Sequence, residues 1–124
     1  MAKPKIVCLC GSTRFRRQFA DANFRETMAG RIVLSVGFAS TVYRPTEEEK
    51  LALDVLHMRK IELADEILVI DAEVLCCIVC GSPDECSCEV CRVSRRYWGQ
   101  STSNEIAHAK ALGKPVRYWS EECK

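Results

Sequence analysis

Short apolar runs, each stopped by glycine or a turn, alternate along this chain with longer stretches whose apolar positions recur every three or four residues. Runs of the first kind read as strands buried on both faces, and stretches of the second as amphipathic helices. Lys5–Cys10 is the first run, ended by Gly11. A helix follows from about Arg14 to Ala29, with Phe15, Phe19, Ala22 and Ala20, Phe24, Met28 on a broad apolar face and Gly30 as its stop. Arg31–Gly37, rich in branched residues, is the second strand, and 38–44 reads as a loop without clear pattern. Thr46 caps a second helix, Glu49 completes a capping box, and acids fill the first turn. That helix runs on through Leu51, Val55, Met58 and Ala64 to a third strand, Glu66–Asp71. Beyond a cysteine-rich stretch come a helix over Ser101–Leu112, stopped by Gly113, and a fourth strand, Pro115–Trp119, before a charged tail.

The order β-α-β-α-β-insert-α-β predicts an α/β fold of three layers: a Rossmann-like or flavodoxin-like parallel sheet of about four strands with helices on both faces. The expected strand order is 2-1-3-4. Its switch point falls between strands 1 and 3, where ligands bind outside the carboxyl ends. Two loops flank that crevice, Gly11–Arg14 and the segment ending at Glu105. With 124 residues the chain fits one domain, 1–124, carrying an insert at about 72–98. It has no internal repeat and no low-complexity linker.

Composition narrows the partners. A formal charge of +1 leaves no basic excess for nucleic acid or a membrane surface, and 7% aromatics argue against a base-stacking strand binder. No apolar run approaches the roughly 18–20 residues that span a bilayer. Met1–Lys5 leads directly into the first strand without a signal-peptide pattern, so a cytoplasmic protein is expected, or one of the host cytoplasm if phage-encoded.

Both crevice loops suit an anion. Gly11 allows close backbone approach, Ser12 and Thr13 offer hydroxyls, and Arg14 can fork onto a phosphate. This is neither a Walker A loop nor a dinucleotide fingerprint. On the other side Ser101, Thr102, Ser103 and Asn104 are helix-capping types, at a helix end that favours negative charge. Among these donors stands one carboxylate, Glu105. Taken alone, such a stretch is also what a well-capped surface helix would show.

The blocks Leu9-Cys10-Gly11-Ser12-Thr13-Arg14, Leu63-Ala64-Asp65-Glu66-Ile67-Leu68-Val69, and Ser101 with Glu105-Ile106, Ala109 and Ala111-Leu112-Gly113-Lys114-Pro115-Val116 stand in order along the chain. In these blocks the sequence resembles the nucleoside 2-deoxyribosyltransferase-like superfamily, which includes the 2′-deoxynucleoside 5′-phosphate N-hydrolases and small phage proteins. The resemblance covers nearly everything except roughly 72–98. It implies that Glu105 attacks C1′ of the sugar, expelling the base and leaving a glycosyl-enzyme ester for water or a second base to resolve. Gly11, Ser12, Thr13 and Arg14 then match the loop cradling the 5′-phosphate, with Ser101 and Ser103 on the facing side. It also implies a homodimer or larger assembly in which a neighbour completes the site.

The sequence departs from that pattern twice. Where the family carries its assisting aspartate, eight residues before the Ala-Asp pair, this chain has His57. Asp54 lies one helical turn earlier, so His57 as general acid, its pKa raised by Asp54, is one reading and a surface or interface pair the other. Ser-Thr-Ser-Asn replaces the glycines typical of the hydrolases. Asp65 reads as structural, closing the helix before strand 3, and His108 as a satisfied helix histidine.

Six of the nine cysteines fall between Cys76 and Cys91. Cys77-x2-Cys80 and Cys88-x2-Cys91 have the spacing of two knuckles that hold one structural Zn²⁺ between four thiolates, with Gly81 allowing the tight turn. Cys76 and Cys86 are spares, either of which could replace a ligand; a redox pair or an iron–sulfur cluster is the competing use. Cys8 and Cys10 share a face of strand 1 and read as small core hydrophobes rather than reactive thiols. No organic cofactor is expected. Three functions follow: an N-glycosidase or deoxyribosyltransferase on a small nucleoside or nucleotide, a non-catalytic nucleotide-binding or sequestering protein, and a zinc-dependent interaction module.

Overall fold

A computed structural model describes residues 3–37, 45–74, 95–97 and 99–122. Along the chain it contains β1 (Ile6–Gly11), a 3-10 turn (Thr13–Phe15), α1 (Arg16–Met28), β2 (Ile32–Leu34), α2 (Glu47–Leu63), β3 (Glu66–Ile70), β4 (Ala72–Val74), β5 (Arg95–Tyr97), α3 (Gln100–Ala111), β6 (Val116–Tyr118) and α4 (Trp119–Glu122). The main sheet is parallel throughout, in the order β2-β1-β3-β6. This is the α/β architecture and the 2-1-3-4 order that the alternation of runs predicts, with β6 as its fourth strand. The insert begins and ends on an antiparallel ladder that no periodicity announced, Ala72 opposite Tyr97 and Val74 opposite Arg95. Cys77, Cys80, Cys88 and Cys91, and with them the zinc expectation, lie outside the described residues, as do Cys76 and Cys86.

Alternation along the strands divides the core between two faces. Val7, Leu9, Leu68 and Ile70 pack with Phe15, Phe19 and Ala22 of the first helical segment. Cys8, Cys10, Ile67 and Val69 face the other way, onto Ile61 of α2 and Ile106 and Ala109 of α3. All eight strand residues are completely buried, which is why strands 1 and 3 read as unbroken apolar runs.

Elsewhere the pattern overstated burial. α1 buries Phe19 and Ala22, but Phe24 and Met28 are 69% and 72% exposed, so its apolar face is narrower than the sequence suggests. The position that turns inward is Glu26, 1% exposed and paired with Arg117 at 2.8 Å. Arg117 also donates to Glu66 and Glu122, joining α1, β3, β6 and α4. β2 is only three residues long, because the ladder with β1 ends at the Cys8–Leu34 pair.

Side chains fix the ends of α2. Thr46 Oγ1 accepts from the Glu49 amide at 3.2 Å and Glu49 Oε1 from the Thr46 amide at 2.9 Å, completing the expected capping box. At the far end Lys114 donates to the carbonyls of Ile61, Glu62 and Ala64, placing a cation where helix carbonyls lack partners. Asp65 has the structural role expected of it: its Oδ2 accepts from the Ile6 amide at 2.8 Å, tying the α2–β3 turn to β1. His108 is satisfied by Glu62 at 3.1 Å. Among the described residues no helix is long and apolar enough to cross a membrane.

Candidate functional site

The first wall of the site comes from how β1 ends. Gly11 has φ +153°, and a Cβ there would lie 2.6 Å from the Ile70 carbonyl oxygen and 3.3 Å from Phe19. Only glycine lets the ends of β1 and β3 approach so closely. Ser12 and Thr13 then turn into a cleft of about 710 Å³. α2 contributes Lys50, Asp54, His57 and Lys60 to its lining, and the α3 segment contributes Gly99 to Thr102 together with Glu105. The switch point thus brings Gly11, Ser12, Thr13, Asp54, His57, Ser101 and Glu105 around one space. Ser103 is not on its wall, and the side chain of Arg14 lies outside the described residues.

α3 starts earlier than its composition implies. Gly99 is the N-cap, so Ser101 to Asn104 lie inside the first turns rather than capping them. The amides of Gln100 to Thr102 precede the first bond within the helix, which Ser103 N–H makes to the Gly99 carbonyl at 3.0 Å. The anion-favouring helix end therefore borders the cleft, but backbone amides rather than capping hydroxyls provide its character. Helical spacing then sends Thr102, Glu105, Ile106 and Ala109 to the buried side.

On the cleft floor Glu105 is 6% exposed and His57 is 5% exposed. His57 Nε2 stands 3.7 Å from Glu105 Oε1 and 3.7 Å from the sulfur of Cys8. Cys10 is the adjacent inward residue on the same strand face. Glu105 Oε1 is buried without a hydrogen-bond partner. An orphaned carboxylate oxygen in a low-dielectric setting costs free energy that the fold must offset elsewhere. The sulfurs of Cys8 and Cys10 and a ring nitrogen of His57 lie within 4.8 Å of one another, so these three residues form a group that could hold a metal ion.

Burial and mutual charge set the protonation of the cluster. Burial raises the Glu105 carboxyl to about 7; the charge of His57 and a hydrogen bond from Cys10 partly offset this, while the charges of Cys8 and Asp54 reinforce it. Burial works against the imidazolium of His57, but the hydrogen bond and charge of Cys8, followed by the charge of Glu105, outweigh it and raise the pKa. Cys8 is lowered to about 6, first by its hydrogen bond from Cys10 and then, against burial, by His57. Cys10 is pushed well above the usual thiol range, chiefly by hydrogen bonding to Cys8 and by burial. The main influences raising His57 are thus Cys8 and Glu105, whereas the charge of Asp54 is felt at Glu105.

Cys8 and Cys10 are the residues whose neighbourhood the sequence did not disclose. They are core residues, as expected, yet they also border the polar cluster. Their two-residue spacing put both on one strand face, and the position of His57 one turn before Ile61 put it on the inner face of α2. Pairing the two faces required the tertiary structure.

No protein-family model matches this chain, and no curated protein matches it. Fold and site alone therefore define its class: a Rossmann-like α/β domain with a buried carboxylate–imidazole–thiol cluster at its switch-point cleft.

Proposed function

We propose that the cleft binds a deoxynucleoside or its 5′-monophosphate and cleaves or transfers the N-glycosidic bond, as the resemblance to the nucleoside 2-deoxyribosyltransferase-like superfamily implies. One observation carries this reading: Glu105, buried and with an unpartnered oxygen, opens on the same cleft as the Gly11–Thr13 turn and the first amides of α3. A phosphate held between those turns would place the sugar over the carboxylate. Glu105 then forms a bond to C1′ as the C1′–N bond breaks, and the electron pair leaves with the base, which takes up a proton. Water, or a second base, attacks the glycosyl ester and restores the carboxylate.

His57 and Asp54 are the proton-handling groups on the α2 wall. A protonated His57 beside Glu105 favours the ionised form that attack requires, and its proton is available to the departing base. Lys50 adds positive charge on the same wall. The reading also includes a cytoplasmic setting, a structural Zn²⁺ on Cys77, Cys80, Cys88 and Cys91, and a homodimer. In support of a dimer, Leu51, Val55 and Leu56 of α2 are 65%, 60% and 53% exposed. Leu56 also lines the cleft, so a second copy covering α2 would add to its wall.

The test is incubation of the four deoxynucleoside monophosphates and their nucleosides with purified protein, followed by chromatography for free base. Base release is expected, and Glu105→Ala should reduce it by roughly a thousandfold or more while leaving the circular dichroism spectrum intact. Nucleotide binding without release of base, at any pH from 5 to 8, would replace the enzyme with a nucleotide-binding protein.

A further inference from the structure

We propose that Cys8, Cys10 and His57 form a binding site for a thiophilic divalent ion of the zinc class, beneath the cleft and separate from the cysteines of the insert, with Glu105 at its open side. The donor set comes first. Two sulfurs and one imidazole nitrogen select zinc-like ions over magnesium or calcium, which take oxygen ligands. Geometry agrees. With Zn–S near 2.3 Å and Zn–N near 2.0–2.1 Å, tetrahedral ligands lie about 3.3–3.8 Å apart. The Cys8 sulfur and His57 Nε2 are 3.7 Å apart, and the whole set lies within 4.8 Å.

A second, independent feature points to a cation. Glu105 is 6% exposed, its Oε1 accepts no hydrogen bond, and that atom lies 3.7 Å from the same His57 nitrogen. An ion held by the three donors would place positive charge beside the orphaned oxygen, which could complete the coordination or orient a water there. A disulfide is the other use of two neighbouring thiols. Cys8 and Cys10 are free, and β1 is held extended by ladders on both sides. Residues two apart on such a strand have Cα atoms about 6.6–6.8 Å apart, at the long limit for a disulfide.

Binding would release to solvent whatever protons the two thiols and His57 Nε2 still carry, so that two thiolates and a neutral imidazole hold the ion. The proposal goes beyond the glycosidic reading and does not need it to be right: metal on His57 Nε2 and the proton that reading places on His57 are alternative states of one site, and the test reads metal alone. The chain has only two histidines, His57 and His108. Ring-nitrogen NMR of this chain, reduced, chelator-treated and titrated with zinc chloride, therefore observes one candidate ligand and one internal control. The His57 Nε2 resonance should move to the metal-bound range while that of His108, held by Glu62, stays in place. Native mass spectrometry should count one zinc fewer in Cys8→Ala/Cys10→Ala than in the parent chain. Should that variant misfold, His57→Gln, which keeps both core thiols, must lose the same equivalent. A His57 resonance unmoved by excess zinc, or an unchanged zinc count in a folded variant, overturns the proposal whatever the insert binds.

Discussion

Two buried glutamates on opposite faces of one sheet meet opposite fates. Glu26 of α1, 1% exposed, receives Arg117 at 2.8 Å, Arg25 at 3.3 Å and Arg31 at 3.4 Å. Burial pushes its pKa up, but the hydrogen bond and charge of Arg117 and the charges of Arg31 and Arg25 outweigh that, so it falls below the ordinary 4.5. Glu105 of α3, 6% exposed, has no guanidinium beside it among the described residues, and its carboxyl rises to about 7. Desolvation acts on both, so the difference lies in the partners. A saturated carboxylate is a structural tie. One left short of partners beside a cleft is a group poised to react or to bind.

Removing the partners of the first should have the largest effect. Arg117→Leu leaves Glu26 and Glu66 without their shared guanidinium, and losing one side of a buried pair costs about 3–5 kcal/mol. Urea unfolding should show a loss near the lower figure, because the Arg117 side chain is 23% exposed. A loss under about 1 kcal/mol would mean that Arg25 and Arg31, still 3.3 and 3.4 Å from Glu26, hold its charge without Arg117.

Glu105→Gln should act in the opposite direction. A folded pKa of about 7 against an ordinary 4.5 means that ionising Glu105 opposes folding. The wild-type protein is free of that penalty below pH 4.5 and acquires it as pH rises through 7. At about 1.4 kcal/mol per pKa unit, the variant should gain up to about 3 kcal/mol relative to wild type between pH 4.5 and pH 8. Stability curves of metal-free protein at several pH values would check this, and parallel curves would refute it. Glu26 carries the reverse sign. Its contribution is full above pH 4.5 and is lost as pH falls through its lowered folded value, so Glu26→Gln should blunt the acid limb alone.

Gly11→Ala comes next in size. Its new Cβ would meet a backbone oxygen at 2.6 Å at φ +153°, a clash that should cost about 1–3 kcal/mol. The strain falls where β1 enters the cleft. Carboxyl-carbon NMR should therefore show the Glu105 titration shifting while that of Glu26, at the far end of α1, stays fixed. Equal shifts at both would show that the two sites are not independent.

How much of this was readable beforehand depends on the range of the interaction involved. Strands 1 and 3, the 2-1-3-4 order, the Thr46–Glu49 box and the placement of Glu105 near the Gly11 turn follow from local patterns and chain connectivity. The first residues of α3 misled because serine, threonine and asparagine are capping types, while Gly99 took the cap. Phe24 and Met28 misled because periodicity reports a helix without reporting how wide a face its neighbours cover. Glu26 looked like an ordinary surface acid because Arg117, its partner, comes 91 residues later. The Cys8–His57 contact spans 49 residues and two elements, and nothing near either residue signals the other.

The smallest effects divide the Glu105 environment itself. His57 holds the Glu105 pKa down and Asp54 holds it up, the latter being the weakest of its five leading influences. In metal-free protein His57→Gln should therefore move the Glu105 titration upward. Asp54→Asn should move it downward, and by less. Removing the Asp54 charge leaves a side chain of the same shape on the cleft wall, so a purely electrostatic role predicts a slight acid-side shift of any base-release profile with little change in its maximum. A collapse of the maximum in Asp54→Asn, with the Glu105 titration hardly moved, would instead make Asp54 the proton donor to the leaving base and reduce His57 to the group that keeps Glu105 ionised.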